Sequence, residues 1–127
     1  MKWVAFSQDG RPGVGVLRDG AVHGRLCTDP LFGGDLDDLI RQGRPDWCEA
    51  TACADAPYFA LDAIQFRPPF ARPNKIVCVG LNYRDHTDEA GYQQPDYPTL
   101  FARFNTSLVA HEDPIVRPRV SSALDFE

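Results

Sequence analysis

The chain has 127 residues, a formal net charge of −5, 43% hydrophobic and 11% aromatic residues. This composition is typical of a folding globular protein and argues against a disordered tail. The acidic balance, without a cluster of lysine and arginine, argues against nucleic acid and anionic membrane surfaces as partners. No apolar run is long enough to cross a membrane and the start lacks a signal-peptide pattern, so we expect a cytoplasmic protein.

The first part of the chain has the alternation and turn residues of a β meander. We predict strands over residues 2–7, 13–17 and 21–26, with turns at 8–10 and 19–20. His23 falls in the third strand, where a structural role is expected. The glycines here lack the G-x-G-x-x-G order and a following helix, which argues against a dinucleotide site.

A helix is predicted over residues 35–42, because it has an acidic start, a basic end and Gly43 as a stop. Leu36, Leu39 and Ile40 mark its apolar face. The aspartates at its start are better explained as caps than as calcium ligands. Residues 45–56 predict a weaker helix, and residues 57–66 predict one strand with irregular ends.

The four cysteines are expected to be reduced thiols, as is usual in the cytoplasm; they are Cys27, Cys48, Cys53 and Cys78. The spacing of Cys48 and Cys53 occurs in some zinc sites. No second close pair of cysteine or histidine completes a tetrahedral set, so the sequence does not favour structural zinc.

A proline-rich stretch divides the chain. Three prolines lie within residues 67–73, which predicts an extended linker. We therefore predict a small β-rich domain at 1–66, a linker at 67–74 and a second domain that occupies 75–127.

The second domain opens with a strand, a glycine and a short helix. Ile76–Val79 is an unbroken apolar run typical of a strand buried on both faces, and Gly80 ends it. Asn82 is a candidate N-cap and Gly91 a candidate stop. His86 and Glu89 are spaced i,i+3, so the carboxylate can orient the imidazole for acid–base chemistry. The structural alternative is a solvated helix face.

After Gly91 the sequence is polar and rich in proline, and it predicts a loop over 92–98. Residues 99–104 predict a strand, residues 105–107 a turn or cap, and residues 111–114 another turn. A short edge strand is predicted to begin at 115–116.

These residues resemble a known family. Gly80-Leu81-Asn82-Tyr83-Arg84-Asp85-His86, followed by Glu89, resembles the signature that opens the catalytic domain of the fumarylacetoacetate hydrolase family. The similarity continues through three further stretches, which are 98–104, 113–118 and 124–127. The resemblance implies an α+β, β-rich fold: a small N-terminal β domain followed by the truncated opening of the family's mixed β-sheet catalytic fold.

The resemblance also implies a chemistry. Members of the family are generally metal-dependent enzymes that act on small oxo-acids, and C–C bond hydrolysis of the acylpyruvase type is our main expectation. Isomerisation, hydration and decarboxylation are the alternatives. The cofactor implied is Mg²⁺ or Mn²⁺, held by a Glu-x-Glu pair and a later Asp.

The resemblance assigns roles to six residues. His86 is implied to be the general base and Glu89 its orienting partner. Glu127 maps to the first metal ligand. The candidate substrate-binding residues are Tyr83, Arg84 and Arg103. Arg103 stands where many relatives carry lysine, which leaves substrate contact and a structural ion pair both open.

The second glutamate of the metal motif and the later aspartate would lie beyond Glu127. We therefore expect an N-terminal piece of such an enzyme that is inactive alone and does not bind the metal tightly. The complete enzyme is expected to be a homodimer, and an incomplete sheet is expected to leave open edges or exchange strands. A non-catalytic interaction module and a small autonomous β-rich binding domain stay open as alternatives.

Overall fold

The computed structural model describes residues 2–43, 55–89 and 91–124. These residues form two compact units. The first unit contains the described residues up to 70 together with 109–124, and the second contains those of 71–108. The predicted helix at 45–56, and with it Cys48 and Cys53, falls almost entirely outside the described residues. The predicted boundaries at 66 and 74 stay predictions.

The first unit is built on the predicted meander. Strands β1 (Lys2–Gln8), β2 (Arg11–Arg18) and β3 (Ala21–Leu26) pair antiparallel in sequence order. Both hairpin turns have positive φ at two successive residues, at Asp9-Gly10 (50° and 74°) and Asp19-Gly20 (52° and 77°). Positive φ at both central residues gives a turn whose twist matches that of the flanking strands. The two Asp-Gly turns therefore set the register of the three strands.

Two short strands complete the sheet at opposite edges. Strand β4 (Tyr58–Ala60) pairs with β3, and β5 (Gln65–Arg67) pairs with β1, which gives the order β4-β3-β2-β1-β5. The prediction of one strand over 57–66 was wrong, because a 3-10 helix at Leu61–Ala63 separates two strands. The link between the two edges is short, so the sheet curls. Phe6 of β1 and Phe59 of β4 lie with ring centroids 4.9 Å apart.

Helix α1 (Leu36–Arg41) packs on this sheet. Asp35 caps it: its carboxylate accepts from the Asp38 amide at 2.9 Å, and the Asp38 carboxylate accepts from the Asp35 amide at 3.4 Å. Leu36 and Leu39 are buried with Val14 of β2. Ile40 is exposed, so its predicted place on the buried face was wrong.

A partly buried ion pair lies at the end of β3. The Arg25 guanidinium lies 2.7 Å from the Asp29 carboxylate, whose other oxygen accepts from the Leu31 amide at 2.8 Å. The Leu31 amide and then Arg25 stabilise the ionised form, so they lower the pKa of Asp29 below its ordinary value of 3.8. The pair therefore stabilises the turn that follows β3 in the first unit.

The second unit is a hairpin of β6 (Val77–Gly80) and β7 (Thr99–Ala102), with helix α2 (Arg84–Glu89) between them. The strands pair antiparallel, Val77 with Ala102 and Gly80 with Thr99. Val77 is 59% exposed and Leu100 62% exposed. The prediction that the 76–79 run is buried on both faces was wrong, because among the described residues of this unit no element covers that face of the hairpin.

Residues after β7 contain less regular structure than predicted. Asn105–Ser107 forms a 3-10 helix, as expected for a turn or cap. Residues 115–116 are not in a strand, so the predicted edge strand was wrong. Pro114 and Pro118 flank this stretch and each removes a backbone donor, which weakens any ladder there. The described residues thus form a β-rich protein with antiparallel sheets and short helices.

Candidate active site

Helix α2 follows directly from the end of β6. After Gly80 the chain turns through Leu81, which has φ +52°. The helix begins at Arg84, two residues after the predicted cap Asn82, and the Tyr83 carbonyl accepts from the Thr87 amide at 3.1 Å. The sharp turn at Leu81 therefore brings a helix of six residues to the carboxyl end of β6.

The helix ends in a Schellman motif. Gly91 has φ +68°, its amide donates to the Asp88 carbonyl at 3.1 Å, and the Tyr92 amide donates to the Thr87 carbonyl at 3.0 Å. A left-handed residue at this position is almost free of strain for glycine alone. The predicted stop at Gly91 is confirmed.

Most of the predicted site residues lie on or next to α2. Tyr83 precedes it and is exposed, while Arg84 and Glu89 are its exposed first and last residues. His86 lies in the helix, but its side chain is outside what the structure describes. Positions 86 and 89 are three residues apart on this helix and share a face. The roles of these residues stay predictions.

Arg103 lies away from this helix within the same unit. Thr99 pairs with Gly80 beside the start of the α2 segment, and Arg103 is four residues further along, where its amide donates to the Ile76 carbonyl at 3.1 Å. Four residues of strand span roughly 13 Å. The described residues therefore do not bring Arg103 to α2, and its substrate-binding role stays a prediction.

A pocket of about 200 Å³ opens at the end of β6. Its lining residues come from the β6 end and the loop before β7; they are Val79, Leu81, Asn82 and 94–98. The sequence predicted the loop but not its contribution to a pocket. Prolines indicate that regular structure is interrupted, but they do not indicate which other residues the loop packs beside. A wider groove of about 460 Å³ lies at the other end of the hairpin, between 73–76 and 103–106.

A polar network links the loop to α2. The Thr87 hydroxyl lies 3.0 Å from the Tyr83 carbonyl oxygen and 3.0 Å from the Gln94 side-chain oxygen. The Gln94 side-chain nitrogen donates to the Leu81 carbonyl at 3.0 Å. The sequence did not predict the contact between Thr87 and Gln94, because no helical or strand periodicity connects two residues that are seven positions apart.

The described residues do not reproduce the implied metal site. No three His, Cys, Asp or Glu side chains among them lie close enough together to hold a metal ion. Glu127, the predicted first ligand, is outside the described residues. The described groups therefore do not by themselves fit a magnesium or manganese site.

No helix within residues 2–43, 55–89 or 91–124 is long and apolar enough to span a bilayer.

Residues 75–127 match the family described as Fumarylacetoacetate (FAA) hydrolase C-terminal. The chain belongs to the fumarylacetoacetate hydrolase family, whose members are generally metal-dependent enzymes, and the resemblance in the sequence is confirmed.

Several relatives carry a named activity. The chain is similar to the mitochondrial oxaloacetate tautomerase Fahd2a of Rattus norvegicus, with 38% identity over 110 residues, which is 85% of this chain and 35% of the relative. It is similar to the mitochondrial oxaloacetate tautomerase FAHD2A of Homo sapiens, with 33% identity and the same coverage. An uncharacterised protein of Methanocaldococcus jannaschii is 45% identical over 56 residues, 44% of this chain and 24% of that protein.

The chain spans about a third of the length of the tautomerases it matches.

Proposed function

We propose that the chain is part of an isomerase that interconverts the keto and enol forms of a small oxo-acid, with oxaloacetate as the first substrate to test. The observation that carries this proposal is the 110-residue similarity to proteins named oxaloacetate tautomerases, which includes the segment with His86 and Glu89. This favours isomerisation, one of the alternatives from the sequence, over our main expectation of C–C hydrolysis.

The reaction needs a proton to leave the carbon beside the keto group and a proton to reach the keto oxygen. Imidazole has an ordinary pKa of about 6.5, close to the working pH at which a general base is most effective. We assign the proton transfer at carbon to His86. Glu89, one turn along α2, orients the imidazole and stabilises its protonated form.

Oxaloacetate carries two carboxylates, so cationic groups are needed to bind it. A guanidinium matches a carboxylate with two parallel hydrogen bonds. We assign this role first to Arg84, which is exposed next to Tyr83 on the α2 segment, and second to Arg103. Magnesium or manganese remains a proposal for the complete enzyme, where it would polarise the keto oxygen.

Hydrolysis of C–C bonds in acylpyruvates is the second candidate, because the matched family is described as a hydrolase. Both reactions place negative charge on the same keto oxygen, so they require similar groups. They differ in whether a water attacks the substrate.

Partners and compartment also stay proposals. Homodimer formation and strand exchange are supported by the exposed face of the β6–β7 hairpin. The cytoplasmic expectation competes with a mitochondrial one, since the mammalian relatives are named as mitochondrial proteins.

The test is the loss of enol absorbance from oxaloacetate, with Mg²⁺ or Mn²⁺ present. The chain is assayed alone and mixed with a polypeptide that carries the remaining length of the rat relative. We expect acceleration in the mixture, with a loss of about 100-fold or more in His86→Gln. His111→Gln is the control, since His111 is an exposed histidine packed on Phe66 in the first unit.

Three results would contradict the proposal. Cleavage of acylpyruvate without tautomerisation would favour the hydrolase. Association of the two polypeptides without either activity would favour the interaction module. Equal losses in His86→Gln and His111→Gln would remove the role of His86.

A further inference from the structure

One glutamine holds α2 to the turn that precedes it. Thr87 is 1% exposed and is the sole buried side chain among the described residues of the second unit. It is a polar residue, and its hydroxyl contacts the side chain of Gln94. The helix is therefore anchored on its inner side by hydrogen bonds, where most helices of globular proteins use apolar packing.

The amide of Gln94 matches the two groups that it joins. Its nitrogen donates to the Leu81 carbonyl and its oxygen faces the Thr87 hydroxyl, each at 3.0 Å. A carboxamide is the side-chain group that offers a donor and an acceptor from one planar end. Glutamate would lose the donor and place a charge beside a carbonyl oxygen.

The two joined groups lie on either side of His86 in the chain, and Glu89 follows two residues after the second of them. Leu81 has the left-handed φ that turns the chain out of β6, and Thr87 directly follows His86 in α2. A bond to each fixes the angle between the strand end and the helix. Displacement of a catalytic group by about 1 Å can cost roughly 100-fold in rate.

We propose that Gln94 is a positioning residue that fixes the backbone of α2 at His86 and Glu89 relative to the end of β6. The catalytic meaning of this role rests on the proposed function. The fixed helix itself is a property of the chain and is measurable without activity.

The neighbouring Gln93 provides a matched control. It is the same residue type in the same loop, it is exposed, and it makes neither of the two hydrogen bonds of Gln94. Replacement of either glutamine by leucine changes size and polarity equally. A difference between Gln94→Leu and Gln93→Leu therefore reports the hydrogen bonds.

The experiment measures amide hydrogen exchange and chemical shifts by NMR on the full chain. In Gln94→Leu we expect the Thr87 and Tyr92 amides to exchange roughly 3- to 10-fold faster, as the loss of one or two neutral hydrogen bonds implies. The amide shifts of His86 and Glu89 should move as well. Gln93→Leu should change neither, and the amides of β1–β3 should be unchanged in both variants, which shows that each variant folds.

Two further variants guard against an effect of leucine itself. Gln94→Glu keeps the shape and loses the donor, so it should also accelerate exchange at Thr87. Thr87→Val removes the hydroxyl with little change in volume. In the double variant Thr87→Val/Gln94→Leu the acceleration of exchange should be smaller than the product of the two single effects, because the two side chains share one hydrogen bond. Additive effects would overturn the network.

Equal exchange and equal shifts in Gln94→Leu and Gln93→Leu would overturn the proposal. Faster exchange with unmoved His86 and Glu89 shifts would show a merely structural bond and overturn the positioning role. With the remaining domain supplied, we expect kcat for oxaloacetate to fall about tenfold in Gln94→Leu with KM nearly unchanged. If the unmodified protein shows no tautomerase activity, the proposed function fails, while exchange and shifts still decide the role of Gln94.

Discussion

The two units of this chain are stabilised in different ways. In the first, side chains from three strands and α1 are buried, including Phe6, Val14, Val22 and Leu39. In the second, Thr87 is the one buried side chain among the described residues, and apolar residues such as Val77 and Leu100 are exposed. The first unit therefore depends on apolar burial and the second on hydrogen bonds.

Most of the buried apolar side chains lie in one unit, and the residues predicted to act on substrate lie in the other or in the residues that follow it. The family match lies entirely within 75–127, and every residue predicted to act on substrate lies there too. The strand pair β6–β7, which flanks α2 in the chain, leaves one apolar face uncovered by the described rest of its own unit. The groups that we propose for proton transfer thus lie in a unit that buries few of its own apolar side chains.

The largest expected effect is the loss of a buried ring from the first unit. Phe6 is 0% exposed and packs on Phe59, so Phe6→Ala should reduce the free energy of unfolding by about 3–5 kcal/mol. Phe104→Ala is the matched control in the second unit, because Phe104 is 84% exposed. Urea denaturation followed by circular dichroism measures both. Similar losses in the two variants would contradict the contrast between the units.

A smaller effect is expected from a methyl group added where two strands approach closely. The Cβ of alanine at position 24 would press against the Val14 carbonyl oxygen and lie 2.6 Å from the Gly15 Cα. Both neighbours are backbone atoms, so Gly24→Ala should cost the first unit about 1–3 kcal/mol. At Gly80 of β6 the nearest atom, in the Phe101 ring, is 3.6 Å away, and Gly80→Ala should be tolerated.

Thermal unfolding of each alanine variant, with NMR cross-peaks of the two sheets as local probes, tests this pair. We expect Gly24→Ala to be the more destabilising of the two. Loss of the β6–β7 cross-peaks in Gly80→Ala, together with an intact first sheet in Gly24→Ala, would contradict this prediction.

The smallest effect depends on pH. The pKa of Asp29 is lowered in the folded chain by the Leu31 amide and Arg25, so ionised Asp29 stabilises the first unit above its unfolded pKa. That contribution should be lost as pH falls below 3.8 and through the lowered folded value. Asp29→Asn should remove this part of the acid dependence.

The comparison is between unfolding midpoints of the unmodified chain and Asp29→Asn from about pH 6 to about pH 2. Asp9→Asn is the control, because the Asp9 carboxylate pairs with Arg11 at the surface, where ion pairs contribute little. A difference between Asp29→Asn and the unmodified chain that is constant over this range would contradict the assignment.

The sequence predicted most of the local structure and little of the packing. The Asp-Gly turns specify the meander, and Asp35, Gly43 and Gly91 specify helix ends through short-range hydrogen bonds and φ preferences. Residues 57–66 were misassigned because their apolar residues recur along the whole segment, while pairing with β3 or with β1 depends on tertiary contacts. The same limit explains the exposure of Ile40.

The site was predicted in part for the same reason. The order of residues from Gly80 to Glu89 indicates a helix with a histidine and a glutamate, and the helix is present. The bond between Thr87 and Gln94 spans seven residues across a turn. No periodicity connects such positions, so only the folded chain reveals it.

The two units are expected to differ in stability because they are stabilised differently. A urea titration of the full chain, followed residue by residue in NMR spectra, tests it most directly. We predict that amides of β6, β7 and α2 lose their native signals at lower urea than those of β1–β3, since the surface that the second unit buries is small. A single shared transition for all of these amides would contradict the claim.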